Sequence, residues 1–186
     1  MSDLLEIANI HEHMVRNVFL NIELLLNDDI RSISEYDVQS FVFLYFARHL
    51  RNTAHTAERE REGKVDCVLY ENDSPRIFYE IKTYFKPNEW ITKEHFDKDI
   101  DKMASLLRAQ NAATGYILVA GAKSKFKSEE LLDFEFIAKH LHRDDRSWHP
   151  YQLPGGQLVR LRPSQKQHRG QCVLITWEVK APQTSL

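Results

Sequence analysis

Near the start of the chain apolar side chains recur at Leu4, Ile7, Ala8, Met14, Val15, Val18, Ile22, Leu25 and Leu26, the spacing of one helical face, with Asp3 near its start. The pattern predicts a long helix over 3–26. Its second half, VFLNIELLL, is apolar on more than one face. Residues 1–30 carry the acids Asp3, Glu6, Glu12, Glu23, Asp28 and Asp29 against Arg16 alone, so this helix either packs on a core or docks a partner. Ser32-Ile33-Ser34-Glu35 has the spacing of a capping box. Behind it Val38, Phe41, Val42, Tyr45, Phe46 and His49 keep the i, i+3, i+4 rhythm of a second helix. Glu35 thus serves either as a cap at the helix mouth or as an acid leaning toward the buried stripe.

The period then changes. Asn52 to Glu60 reads as a weak strand, and Lys64–Tyr70 and Arg76–Tyr84 as two more, separated by turn signals at Glu62-Gly63 and Asn72–Pro75. Antiparallel pairing is expected for these three. Phe96, Ile100, Met103, Ala104 and Leu107 predict an amphipathic helix from about Lys93 to Gln110, and Gly115–Ala120 is a continuous apolar run of the fully buried strand type. Ser128 can cap a further helix to about His142, and two strands near 157–162 and 171–180 suggest a closing hairpin. The expected fold is a single α/β domain over 1–186, its core at about 32–120 in the order αβββαβ, with an extra N-terminal helix and a C-terminal helix and hairpin over 128–180.

Size and charge narrow the function. A chain of 186 residues, 42% hydrophobic and 28% charged, suits one domain. Its net charge of −2 lacks the excess of a protein that holds nucleic acid by charge alone. Cys67 and Cys172 cannot make a disulfide framework, and the start lacks the pattern of a secretory signal. The longest apolar run, Phe41 to Ala47, is far short of the roughly 20 residues of a membrane span. A cytoplasmic protein with no membrane role is the expectation.

The chemistry centres on Asp66 and Glu80-Ile81-Lys82. Side chains alternate along a strand, so Glu80 and Lys82 share a face, and Asp66 faces them if the hairpin register permits. Two carboxylates at one spot repel unless a cation lies between them, and an oxygen-rich set with an adjacent ammonium suits Mg²⁺. Such an assembly can polarise a phosphodiester and present an activated water. Glu-x-Lys occurs twice more. Glu62-Gly63-Lys64 sits in a turn without a second strand carboxylate, and Glu178-Val179-Lys180 has too few residues behind it for a covering helix and strand. Solvated surface ion pairs are the competing reading of Asp66 and Glu80–Lys82, weakened by their place inside apolar strands. Glu94 and His95 are within reach of the same place from the next helix or belong to its solvated face. His11, His13, His140, His142, His149 and His168 show no zinc-type spacing with Cys and read as surface or packing residues.

The combination resembles the PD-(D/E)xK superfamily of restriction-endonuclease-like nucleases over about residues 32–120, with Asp66, Glu80 and Lys82 as the motif residues and Val65 where its name has Pro. The resemblance implies a mixed sheet flanked by helices and one or two Mg²⁺ ions held by Asp66, Glu80 and the carbonyl of Ile81. It also implies that Lys82 aligns or deprotonates the attacking water, with Glu35 as the extra acid that many members place near the metal. Lys123, Lys125 and Lys127 follow the buried strand, where α/β sheets tend to bind ligands, and are phosphate candidates or a solvated loop. Arg160, Arg162, Lys166, Arg169 and Lys180 against Glu178 form a local +4 over 151–186. No base-reading element remains. Size and the missing recognition module make the chain most similar to the small catalytic subunit of a heterodimeric type IIS restriction endonuclease. That implies double-stranded DNA as substrate and a larger DNA-recognising subunit as partner. A stand-alone homodimeric nuclease of repair or phage defence, and a catalytically silent DNA-binding adaptor, are the rival expectations.

Overall fold

The computed structural model describes residues 2–27, 33–50, 55–59, 65–86, 88, 92–110, 113–127 and 147–181. The expected helix from Ser128 to His142, the turn at Glu62-Gly63 and the cap at Ser32 lie outside them. Helix α1 spans Ser2–Asn27 and α2 Glu35–His49. Strands β1, β2 and β3 are His55–Arg59, Cys67–Glu71 and Ser74–Tyr84. Helix α3 is Lys93–Ala109 and β4 Thr114–Ala122, followed by a 3-10 turn at Lys123–Lys127. Strands β5, β6 and β7 are His149–Gln152, Leu158–Arg169 and Cys172–Lys180.

The capping of α2 differs from expectation. Ser34 is the N-cap: its hydroxyl accepts from the Asp37 N–H at 3.2 Å, and Asp37 Oδ2 accepts from the Ser34 N–H at 2.8 Å. Asp37 thus closes the capping box, and Glu35 occupies the first helical position, its carboxylate released for other contacts.

The strands form one mixed sheet in the order β1-β2-β3-β4-β7-β6-β5, in which β3 and β4 are parallel and every other neighbouring pair is antiparallel. A parallel pair needs a crossover, and α3 supplies it. The C-terminal hairpin does not simply close the fold. Strand β7 pairs with β4 along Gly115↔Val179 to Ala122↔Cys172, and β5, which the alternation did not reveal, extends the sheet beyond β6. Burial on both faces explains the continuous apolar run of β4.

Each face carries its own core. Helices α1 and α2 bury Met14, Val18, Ile22, Val38, Val42 and Phe46 against Leu69, Ile77, Tyr79, Ile81, Leu118 and Leu174. Helix α3 buries Phe96, Ile100, Met103 and Leu107 against Phe78, Ile117, Val119, Ile175 and Trp177. Gly115 permits the close seating of α3, since a Cβ there would stand 2.7 Å from Met103 Cγ.

Candidate active site

Whether Asp66 meets Glu80 is decided by one irregularity. The β2–β3 turn is tight, with Asn72 and Asp73 at φ of 48° and 61°, as a two-residue hairpin requires. From Glu71↔Ser74 and Tyr70↔Pro75 an unbroken ladder would bring Asp66 opposite Tyr79, on the α2 face. Instead the register shifts at Leu69/Tyr70, so that Leu69 pairs with Ile77 and Cys67 with Tyr79. Continued by one position beyond the ladder, this register brings Asp66 level with Glu80, where its carboxylate accepts from the Ile81 N–H. Pro75, which has no N–H to give a ladder, sits at this bulge.

Four acids and two lysines converge there. Asp66 accepts from the Ile81 backbone N–H at 2.6 Å and from Gln39 Nε2 at 2.9 Å. Lys82 Nζ stands 3.6 Å from Glu35 Oε1, 3.6 Å from Glu80 Oε1 and 3.7 Å from Asp99 Oδ2. Lys102 Nζ lies 2.6 Å from Glu80 Oε2. Glu80 is only 2% exposed and Asp99 7%, and Glu80 Oε2 and Asp99 Oδ2 are both buried oxygens that face an ammonium without a well-directed hydrogen bond.

The electrostatics follow from this crowding. Burial, then the neighbouring Asp66, push the Glu80 carboxyl up to about 8 against the opposing pull of Lys102. Burial also raises Asp66, Asp99 and Glu35 above the ordinary carboxylate range despite the lysines beside them. For Lys82 burial acts downward, but Asp99, Glu35, Glu80 and Asp66 outweigh it and the net shift is upward. The acids around it therefore favour its charged form.

Glu35, Asp66, Glu80 and Lys82 are thus brought together, and Ile81 contributes its N–H while its side chain enters the opposite core. Glu94 turns outward to Lys98 at 2.7 Å. His95 lies exposed on the rim, one turn from Asp99, whose carboxyl it helps to lower. Lys123 is exposed and Lys125 buried in the turn after β4, beyond the Tyr84↔Gly121 end of the parallel ladder; Lys127 belongs to the same turn. Arg160 and Arg162 do not join this group. Val159 and Leu161 alternate with them and fill the α3-side core, so the two arginines face the other side of the sheet, where Arg162 pairs with Glu178 and lies 4.7 Å over Trp148. That contact also accounts for the acid of the third Glu-x-Lys.

Asp99, Lys102 and Gln39 were not among the residues expected from sequence. Asp99 was detectable as an acid beside the apolar stripe Phe96, Ile100, Met103, and Gln39 as a polar neighbour of Val38 and Val42.

Among the described residues no group of three or more His, Cys, Asp or Glu side chains is gathered as metal ligands are. The donor chemistry nonetheless fits a hard divalent ion. When all are ionised, Glu35, Asp66, Glu80 and Asp99 exceed Lys82 and Lys102 by two negative charges, and the buried oxygens Glu80 Oε2 and Asp99 Oδ2 make no well-directed hydrogen bond. No protein-family model, curated protein or solved structure matches the chain.

Proposed function

We propose that the chain is a Mg²⁺-dependent DNA endonuclease subunit with a restriction-endonuclease-like core, hydrolysing phosphodiesters of one strand while a larger partner of a type IIS system supplies sequence specificity. The observation that carries this reading is the gathering of Asp66, Glu80 and Lys82 at β3, with Asp66 on the Ile81 N–H and Lys82 3.6 Å from Glu80, in a chain whose elements run α2-β1-β2-β3-α3-β4. Surface ion pairs do not bury an acid as Glu80 is buried.

Asp66 and Glu80 would hold the ion with the Ile81 carbonyl, and Asp66 is oriented for this by the Ile81 N–H and Gln39. The bound ion supplies charge neutralisation of the phosphate and acidifies a water. Lys82, held protonated by the acids around it, donates to the attacking water or to a non-bridging phosphate oxygen and stabilises the charge that develops there. Water oxygen bonds to phosphorus as the bond to the leaving oxygen breaks, and the water proton passes to a neighbouring base. Glu35, half-buried and raised, would take it, and the leaving oxygen would be protonated by solvent water.

The test is conversion of supercoiled plasmid to open circle with Mg²⁺, with and without the product of the neighbouring gene, and its reversal by chelator. Metal-dependent nicking in the presence of a partner whose own active site has been inactivated supports the reading. Absence of nicking under both conditions favours the adaptor.

A further inference from the structure

Lys102 has no place in the mechanism above, yet its contact with Glu80 is closer than the ion pairs of Lys82 with Glu35, Glu80 and Asp99. Its ammonium stands 2.6 Å from Glu80 Oε2, on the oxygen turned away from Lys82. It reaches there from α3, one turn beyond Asp99, with Ile100 and Met103 buried beside it. Lys102 itself is 30% exposed, so its stem can release the head into solvent without disturbing the core. A divalent ion bound through Glu80 seeks the same oxygen, and two cations sharing one carboxylate oxygen in a buried setting repel strongly.

We infer that Lys102 is a built-in competitor for the metal: its ammonium and the divalent ion exclude one another at Glu80 Oε2, so this residue sets how tightly the site takes a metal. The inference rests on the metal-dependent reading of the site. It differs from the role of Lys82, which bridges Glu35, Glu80 and Asp99 and stays beside the bound ion. By linkage, whatever Lys102 gains from Glu80 the metal must first overcome, and removing the ammonium returns that affinity.

The experiment is calorimetric titration of the full chain with Ca²⁺ and with Mg²⁺, for the wild type, Lys102→Met, Lys102→Arg and Lys98→Met. Lys98 is an exposed lysine one turn earlier on α3, paired with Glu94. Competition predicts binding tighter by about tenfold or more in Lys102→Met, near wild type in Lys102→Arg, and a much smaller change in Lys98→Met. If Lys102→Met melts below the titration temperature, Lys102→Gln takes its place. Unchanged or weaker binding in the neutral variant, or an equal gain in Lys98→Met, overturns the competition and leaves the nuclease reading standing. Tightened binding without cleavage in the plasmid test retains the competition and overturns the nuclease. Absence of binding in all four proteins overturns both.

Discussion

At the residue scale the proposed mechanism assigns Asp66 and Glu80 to hold the ion and Lys82 to act on charge. Asp66→Ala, Glu80→Ala and Lys82→Ala are each expected to abolish cleavage, a loss of about 3 kcal/mol or more in activation free energy, with fold and partner assembly retained. Strand-cleavage rates alongside thermal melts check this, and near-normal cleavage by any of the three contradicts the assignment. Gln39→Ala removes one of the two hydrogen bonds on Asp66 and should lower the rate about 10- to 100-fold, the usual cost of losing a ligand's orienting partner; a rate equal to wild type contradicts the orienting role. Glu80 and Lys82 were legible because strand alternation fixes their common face. Asp99 was detectable only as an acid beside an apolar stripe, and its convergence with Lys102 on Glu80 was not legible. A helix presents them to the site through its own rotation and through the seating of α3 on Gly115, neither of which a single sequence states.

At the element scale the determining feature is the bulge in the β2–β3 hairpin. The turn at Asn72-Asp73 was readable, but a one-residue register shift reverses which face every following residue meets, and only Pro75 hinted at it. Helix α1 shows the same limit. Its pattern left core packing and partner docking open, and the structure packs Met14, Val15, Val18, Phe19 and Ile22 on the sheet while Leu20 and Leu24 remain 54% and 63% exposed. Ile22→Ala should cost about 2–4 kcal/mol in urea denaturation and Leu24→Ala under about 0.5; equal losses contradict the docking. His11 pins the helix. Its ring stacks 3.7 Å from that of Tyr116, and its nitrogens lie 3.2 Å from Tyr79 OH and Thr176 Oγ1. Burial lowers its pKa from 6.5 to about 3. Between those values the unfolded chain binds the proton and the folded chain does not, so this histidine's contribution to stability falls as pH falls through that window. The carboxyls raised in the active site act with the opposite sign, so the comparison is with His11→Phe, which keeps them and the stacking. Wild-type Tm should fall more steeply than the variant's from about pH 6.5 to about pH 4. Parallel curves contradict a neutral buried His11.

At the scale of the whole molecule, one sheet gathers Asp66, Glu80, Lys82, Asp99 and Lys102 in one place. Among the described residues no helix is long and apolar enough to cross a membrane. The α/β class and the order of the elements from α1 to β4 were legible because period changes from 3.6 to 2 mark the elements themselves. The seven-stranded order was not, because pairing between β4 and β7 joins segments some sixty residues apart. A single site addresses one scissile phosphate at a time, so double-strand cleavage requires a second site from a partner or another copy. With a net charge of −2, and with Arg160 and Arg162 on the far face, affinity and register on DNA are expected to come from the partner. The most direct measurement is strand-resolved cleavage of a duplex labelled on each strand, with Mg²⁺ and a site-reading partner whose own active site has been inactivated. The account predicts that the wild-type chain cuts one strand only, that Glu80→Ala cuts neither while still assembling, and that the chain alone makes no specific cut. Cleavage by Glu80→Ala at the wild-type rate, or no cleavage of either strand by the wild type, would contradict it.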